Sequence, residues 1–137
     1  MSSDKLDGHH KVLLVDDELD ITIIVKKGLE NNGFTVGVYN DPQKAAAEYK
    51  PNSYDIHVLD IRMPGMSGFD LAHKIWSQDP KAQVCFLSSF EIYEDEARKV
   101  FKDFSTTCFI KKPLSVSALA NHLKSHLKES TKPYSTT

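Results

Sequence analysis

Five short apolar runs alternate with segments of helical periodicity along this chain, and this alternation constrains the fold more than any other feature. The runs cover residues 11–15, 34–39, 56–59, 84–87 and 108–110. Strands that alternate with helices form a parallel sheet covered by helices on both faces, and right-handed crossovers leave few topologies. We therefore predict one α/β domain with a flavodoxin-like, doubly wound (βα)5 fold and strand order 2-1-3-4-5.

Residues with strong positional preferences mark the helix boundaries. Asp41 followed by Pro42 predicts the start of the second helix. Ser115 predicts the N-cap of the last helix. The first helix, over residues 19–31, is expected to end at the Asn-Gly pair that follows it, because both residues tolerate the left-handed conformation.

Apolar residues at helical spacing are expected to face the sheet. On the first helix these are Ile21, Ile24, Val25, Gly28 and Leu29. On the fourth predicted helix they are Tyr93, Ala97, Val100, Phe101 and Phe104. On the last predicted helix they are Val116, Leu119, Leu123 and Leu127.

The polar ends of the chain are expected to be flexible, with a lead over residues 1–10, a folded domain over 11–128 and a tail over 129–137. The net charge of −2 gives no reason to expect nucleic-acid binding. No apolar run approaches the roughly 18 residues needed to span a membrane, and the lead lacks the apolar core of a signal peptide. We therefore expect a cytoplasmic protein that binds neither nucleic acid nor a membrane.

Two cysteines, Cys85 and Cys108, lie inside apolar strands. In a cytoplasmic protein such cysteines are typically buried, reduced thiols, and this is the expected state. The alternative is a disulfide between neighbouring strands.

Polar side chains stand at the ends of four of the five runs. They are Asp16-Asp17, Asp60, Ser88 and Lys112. The carboxyl ends of parallel strands meet at one edge of the sheet, which is where open α/β sheets bind ligands. Three carboxylates, a hydroxyl and an ammonium in one cleft indicate a site for a divalent metal and a phosphoryl group.

Asp60 is the expected centre of this chemistry, because a carboxylate can accept a phosphoryl group as an acyl phosphate. Mg²⁺ is the expected cofactor, since it prefers carboxylate and phosphate oxygens. Lys112 and Ser88 would stabilise charge on the transferring group. Taken singly, each residue has an ordinary structural explanation as a helix cap, a turn residue or a solvated loop residue. The prediction therefore depends on their combination.

Four segments resemble the response-regulator receiver domain of two-component signalling, including its chemotaxis-type stand-alone members. They are VLLVDDE at 12–18, DIRMPGMSG at 60–68, LSS at 87–89 and KKPL at 111–114, and the resemblance extends over residues 10–128. It implies a phosphorylation-dependent module that receives its phosphoryl group from a histidine kinase or a phosphotransfer protein.

The resemblance also implies a role for each site residue. Asp60 would be the phosphoacceptor. Asp17, Asp60 and the Arg62 backbone carbonyl would bind Mg²⁺ directly, and Asp16 would hold metal-bound water. Ser88 and Lys112 would contact the phosphoryl group, and Lys112 rather than the preceding lysine matches the family position.

A switch residue follows from the same resemblance. Phe109 stands where the family has an aromatic side chain that turns inward on activation. Ser88 and Phe109 would couple phosphorylation to the helix 4–strand 5–helix 5 surface, and this surface would control an output partner. Phosphorylation-linked pairing of two copies through the same surface is a further expectation.

Two other function classes remain as alternatives. A haloacid-dehalogenase-type phosphatase would carry Asp-x-Asp after the first strand, whereas this strand ends in Asp16-Asp17-Glu18 and no cap domain is evident. A binding module without phosphorylation would not need the full set of charged residues. We expect no turnover of an external substrate. Whether the receiver stands alone or is part of a longer protein stays open.

Three histidines are expected to have structural positions. His57 lies inside a strand and is expected to pack in the core. His122 and His126 are four residues apart on the last helix, a spacing that can bind metal. Because no third ligand is evident, both are expected to occupy a solvated or rim position rather than a metal site.

Overall fold

A five-stranded parallel sheet forms the centre of the domain. The computed structural model of this chain describes residues 10–88, 108–112 and 115–131. The strands are β1 (His10–Val15), β2 (Phe34–Tyr39), β3 (Ile56–Asp60), β4 (Val84–Ser88) and β5 (Cys108–Lys111). Their order is β2-β1-β3-β4-β5 and every neighbouring pair is parallel. The predicted flavodoxin-like topology is therefore confirmed.

Four helices lie in the described part of the chain. They are α1 (Leu19–Asn31), α2 (Pro42–Glu48), α3 (Gly68–Gln78) and α4 (Val116–Thr131). Both predicted N-caps are confirmed: Asp41 Oδ1 accepts from Gln43 N at 2.9 Å, and Ser115 Oγ accepts from Ala118 N at 3.0 Å. The fourth predicted helix, residues 1–9 and residues 132–137 lie outside the described residues.

Regular structure extends past both ends of the predicted domain over residues 11–128, and the division into lead, domain and tail stays a prediction. His10 was assigned to the lead, but its backbone pairs with Phe34 in the β1–β2 ladder. At the other end, α4 continues to Thr131, beyond the predicted start of the tail at residue 129. Polar composition at each end concealed backbone that takes part in regular structure.

The sheet buries residues on both faces, as the uninterrupted apolar runs predicted. In β1, Val12 and Leu14 belong to one core and Leu13 and Val15 to the other. The first core includes the predicted stripe residues of α1 and α4 that are buried, namely Leu29, Leu119, Leu123 and Leu127. The second core joins the sheet to α2 and α3. Packing against helices on both faces therefore fixes the positions of the strand ends.

The predicted inward face of α1 is partly wrong. Ile24 is 60% exposed, whereas Thr22 is buried. Two residues along a helix correspond to about 200° of rotation, so the two side chains point in nearly opposite directions. Burial of Thr22 is tolerated because its hydroxyl donates to the Leu19 carbonyl at 2.9 Å and accepts from Asn40 Nδ2 at 2.9 Å.

The expectation of reduced thiols is also wrong for this structure. Cys85 and Cys108 are directly opposite each other in the β4–β5 ladder, with Cα atoms 4.5 Å apart, and form a disulfide. Paired residues on neighbouring strands point to the same face of the sheet, so register brings the two sulfur atoms together. His57, by contrast, is fully buried as predicted. Within the described segments, no helix combines the length and the apolar character that crossing a membrane requires.

Candidate functional site

An acidic cluster lies at the carboxyl edge of the sheet. Asp16 and Asp17 directly follow β1, and Asp60 is the last residue of the neighbouring strand β3. Their carboxylate oxygens lie within 4.8 Å of one another. Asp16 is fully buried, Asp60 is 6% exposed and Asp17 is exposed. The predicted convergence of β1 and β3 thus brings these three residues together.

Lys112, at the end of the edge strand β5, forms ion pairs with two residues of the acidic cluster. It directly follows β5, and its Nζ lies 2.9 Å from Asp16 Oδ2 and 3.0 Å from Asp60 Oδ1. A third carboxylate, that of Glu18, lies 3.6 Å from the same Nζ. Lys111 points outward from β5 and is exposed. The ammonium of Lys112 therefore offsets part of the negative charge of the cluster.

The surroundings of Asp60 disfavour its charged form. Burial raises the pKa of Asp60 to about 6, and the charges of Asp16 and Asp17 act in the same direction. The hydrogen bond from Lys112 lowers this pKa but does not cancel the other effects. For Lys112, burial alone would lower the pKa, yet its bonds to Asp16 and Asp60 outweigh burial and raise it. Lys112 is therefore a permanent cation in the site.

We expect Asp60→Asn to stabilise the metal-free domain at neutral pH. The folded pKa of Asp60, about 6, lies above its ordinary value of 3.8, so the folded state binds the proton more tightly. Ionisation of Asp60 therefore lowers the free energy of unfolding. The full loss applies above about pH 6, and there is no loss below about pH 4. After allowance for solvent screening, Asp60→Asn is expected to raise the free energy of unfolding at about pH 8 by roughly 1–2 kcal/mol relative to wild type.

Urea unfolding in EDTA at about pH 8 and about pH 4 measures this gain. Asp20→Asn, which removes an exposed acid on α1 outside the acidic cluster, is the matched control. An Asp60→Asn variant that is less stable than wild type at the higher pH would contradict the expectation.

Two supporting residues had no predicted role. Asn40 Nδ2 donates to the Asp16 carbonyl oxygen at 2.9 Å and so holds the end of β1 against the end of β2. Glu18 donates its backbone N–H to Asp16 Oδ1 at 3.0 Å. Asn40 directly follows β2, so the same strand-end criterion that identified Asp60 would have found it.

The remaining predicted site residues occupy the same edge or its approaches. Ser88 is the last residue of β4, and its backbone pairs with Lys111. Phe109, in β5, is partly buried and stacks on Phe86 with ring centroids 5.4 Å apart. Arg62 is exposed in the loop after β3. The roles assigned to these three residues stay predictions.

The donor set of the cluster suits a hard divalent cation. Carboxylate oxygens are the ligands that Mg²⁺ prefers, and it commonly takes one or two carboxylates and keeps several waters. Asp16, Asp17 and Asp60 carry three negative charges against one ammonium from Lys112. The cluster can therefore hold a metal ion, and added positive charge would relieve repulsion between its carboxylates.

The fold and this edge of the sheet are those of a signalling domain that is regulated by phosphorylation. The chain belongs to the response regulator receiver domain family, whose model matches residues 12–124. It is accordingly a receiver domain of the two-component type. Mg²⁺ binding at an acidic pocket is a general property of this family, and the cluster of Asp16, Asp17 and Asp60 could hold such an ion.

Three relatives illustrate the range of proteins that contain similar domains. The transcriptional regulatory protein TrcR of Mycobacterium tuberculosis is 30% identical over 88% of this chain and 46% of TrcR. The aerobic respiration control sensor protein ArcB of Escherichia coli is 31% identical over 82% of this chain and 14% of ArcB. The receiver domain of Francisella response regulator 1452 is 29% identical, with a TM-score of 0.74, and the match covers 90% of this chain and 99% of that domain. The chain thus spans about half or less of the length of these curated relatives.

Proposed function

We propose that Asp60 accepts a phosphoryl group from the phosphohistidine of a histidine kinase or a phosphotransfer protein. The phosphorus–nitrogen bond of the donor breaks and a bond from phosphorus to an Asp60 carboxylate oxygen forms, so no other reactant is needed. The observation that carries this proposal is the position of Lys112 Nζ, 3.0 Å from Asp60 Oδ1 and 2.9 Å from Asp16 Oδ2. A cation held there can contact a phosphoryl oxygen on Asp60 without rearrangement of the sheet.

Asp16, Asp17 and Asp60, with the Arg62 backbone carbonyl, are the proposed Mg²⁺-binding residues. When bound, Mg²⁺ supplies positive charge that offsets repulsion between the carboxylates and the incoming phosphoryl oxygens. Lys112 orients and neutralises one of those oxygens, and the Ser88 hydroxyl is proposed to donate to another.

The proposed output is a change in surface rather than a chemical product. Phe109 of β5 stacks on Phe86 of β4, and β5 is the strand of the proposed helix 4–strand 5–helix 5 surface. We propose that phosphorylation shifts the populations of two arrangements of Ser88 and Phe109, and that an output partner binds one of them. No external substrate is turned over in this scheme, and pairing of two phosphorylated copies is one form that the output can take.

Loss of the phosphoacceptor is the direct test. With acetyl phosphate and Mg²⁺, wild type is expected to gain the mass of one phosphoryl group, whereas Asp60→Asn gains none. Asp20→Asn, an exposed acid outside the cluster, is the control and should behave as wild type. Phosphoryl uptake by Asp60→Asn, or sustained hydrolysis of a generic phosphatase substrate by wild type, would refute the proposal. Size-exclusion chromatography of the same samples reports phosphorylation-linked pairing.

We propose that the phosphodonor protein docks on an exposed apolar patch of α1. This α1 patch consists of Leu19, Ile23 and Ile24, which are 58%, 57% and 60% exposed. Helix α1 begins two residues after Asp17, so the patch adjoins the acidic cluster. A donor that brings its phosphohistidine to Asp60 must cover the rim of the site, and an apolar surface there provides binding energy.

Substitution of the α1 patch is expected to separate protein donors from small-molecule donors. An Ile23→Ser/Ile24→Ser variant should accept phosphoryl groups about tenfold more slowly from a phosphohistidine-bearing phosphotransfer domain that phosphorylates wild type, which corresponds to about 1.4 kcal/mol of docking energy. Uptake from acetyl phosphate should not change. An equal loss with both donors, or no loss with either, would count against docking at this patch.

A further inference from the structure

A second cluster of metal-ligating side chains lies on one face of the sheet, away from the acidic cluster. It comprises Cys85 on β4, Cys108 on β5, and His122 and His126 on α4. Cys108 Sγ lies 3.2 Å from His122 Nε2. The ligand atoms of Cys85, Cys108 and His126 all lie within 4.8 Å of one another. We name these four residues the Cys-His cluster.

The arrangement results from strand register and helix packing together. Cys85 and Cys108 are paired in the β4–β5 ladder, so both side chains point to the face that α4 covers. His122 and His126 are one helical turn apart, and their rings are nearly parallel, with an interplanar angle of 11°. In the sequence, the spacing of the two histidines provides only two metal ligands. In the folded protein, the sheet provides Cys85 and Cys108 as the third and fourth.

Two sulfur and two imidazole nitrogen atoms form the donor set of structural tetrahedral zinc sites. With Zn–S bonds of about 2.3 Å and Zn–N bonds of about 2.0 Å, donor atoms in such a site are separated by roughly 3.3–3.8 Å. The ligand atoms of Cys85, Cys108 and His126 are close enough for such a site once the sulfur–sulfur bond is opened. His122 lies 3.2 Å from Cys108 Sγ but outside this group of three, and a change in the conformation of its exposed side chain would bring it in as the fourth ligand. Oxygen-preferring Mg²⁺ does not suit these ligands, so this cluster and the acidic cluster select different metals.

We propose that the Cys-His cluster binds one Zn²⁺ ion when the Cys85–Cys108 disulfide is reduced. A dithiol reductant supplies two electrons and two protons to the sulfur–sulfur bond and becomes a disulfide itself. Zn²⁺ then displaces the two thiol protons and binds two thiolates and two neutral imidazoles. Oxidation of the two thiolates by a disulfide reverses the sequence and releases Zn²⁺.

The two states of the cluster connect different parts of the fold. The disulfide joins β4 only to its neighbour β5. A Zn²⁺ ion would also attach α4, through His122 and His126, to the sheet. The inference does not rest on the phosphorylation chemistry proposed for Asp60, because the two clusters share no residue.

Cobalt binding to the full chain tests the proposal. After reduction with a phosphine, which is oxidised to its phosphine oxide, and removal of the reagent, one equivalent of Co²⁺ should produce a thiolate-to-cobalt charge-transfer band and the visible absorption of tetrahedral Co²⁺. One equivalent of Zn²⁺ should abolish both signals. The unreduced protein should give no thiolate band, because the sulfur atoms remain bonded to each other.

Variants assign the signal to the Cys-His cluster. His122→Ala and His126→Ala lie on the outer side of the cluster and should each weaken Zn²⁺ binding by more than about 100-fold, the upper range for loss of an outer-shell partner. Cys85→Ser should weaken the thiolate band. His73→Ala, which changes an exposed histidine on α3, is the control and should bind as wild type. Absence of the thiolate band in reduced wild type, or unchanged Zn²⁺ affinity in both His122→Ala and His126→Ala, would overturn the proposal.

Discussion

Replacement of Lys112 by Met is expected to lower the free energy of unfolding of the metal-free domain by about 3 kcal/mol, the lower end of the range for breaking a buried ion pair. The lower end applies because 17% of the Lys112 side chain is exposed. Without the ammonium, the buried carboxylates of Asp16 and Asp60 face each other with no compensating charge. At about 4 Å, such a pair repels by roughly 4 kcal/mol at an effective dielectric of 20. Part of this cost is avoided because Asp60 can take up a proton.

The same variant should also lose most of its phosphoryl uptake. Removal of one preorganised donor from a site of developing negative charge typically costs roughly 100-fold to 1,000-fold in rate. We expect Lys112→Met to accept phosphoryl groups from acetyl phosphate at least about 100-fold more slowly than wild type. The effect on rate should persist at saturating Mg²⁺, because added metal would not replace the hydrogen-bond donor that Lys112 provides beside Asp60.

Lys111→Met is the matched control for both measurements. Lys111 is the neighbouring lysine, and its side chain is exposed on β5. Urea unfolding in EDTA and intact-mass measurement of phosphoryl uptake should place this variant with wild type. Mg²⁺ should restore part of the stability of Lys112→Met. If the two lysine variants behaved alike, the bridging role of Lys112 would be refuted.

The fold was predictable because its determinants are local. Unbroken apolar runs identified the strands, and caps such as Asp41 and Ser115 identified helix starts from the hydrogen bond that each side chain can make. Chain connectivity then restricted the order of the strands, because crossovers are right-handed. None of these inferences requires knowledge of how tightly the elements pack.

Convergence of the site was predictable for the same reason, but its contacts were not. Asp16 and Lys112 are separated by 96 positions in the sequence, yet they lie 2.9 Å apart because β1 and β5 end at the same edge of the sheet. Strand order predicts this proximity. It does not predict that one ammonium is shared by Asp16 and Asp60, because that depends on side-chain conformation and on the depth of burial.

The wrong predictions involve helix rotation and strand register. Exposure of Ile24 depends on how α1 is rotated against the sheet. The apolar periodicity of the helix is also compatible with a rotation in which Ile24 faces the core, and that rotation was predicted. The disulfide between Cys85 and Cys108 depends on a register in which the two residues are directly opposite. A shift of one residue would have placed their side chains on opposite faces. The position of His122 beside Cys108 depends on the rotation of α4 as well as on the register of β5.

Gly68→Ala is expected to damage stability and the site together. Gly68 is the first residue of α3, and its N–H donates to the Ile61 carbonyl at 2.8 Å. A methyl group on Gly68 would overlap the backbone carbonyl oxygen of Asp60 and lie 3.0 Å from Ile61 Cα. Backbone atoms cannot rotate away as a flexible side chain can, so either α3 or the end of β3 must move.

The expected loss is about 3 kcal/mol in the free energy of unfolding, the upper end of the usual range for overpacking. Helix propensity acts in the opposite direction, because Ala is favoured over Gly by up to about 1 kcal/mol within a helix. A net destabilisation would therefore identify the contact with Asp60 as the dominant effect. Displacement of Asp60 should also weaken Mg²⁺ binding and slow phosphoryl uptake by about tenfold or more, since a positioning error of about 1 Å can cost up to about 100-fold in rate.

Gly28→Ala separates the two consequences. A methyl group on Gly28 would overlap the Val116 side chain, at the contact between α1 and α4 and away from the acidic cluster. Gly28→Ala should therefore lower the free energy of unfolding while leaving Mg²⁺ affinity and phosphoryl uptake of the folded protein unchanged. Urea unfolding measures the free energy of unfolding of the two variants. Mg²⁺ titration and intact-mass measurement, at a temperature where both are folded, compare their Mg²⁺ affinity and phosphoryl uptake. Equal losses of uptake in the two variants would show that Gly68 acts only through stability, whereas a loss confined to Gly68→Ala would show that close approach of α3 to β3 positions the phosphoacceptor.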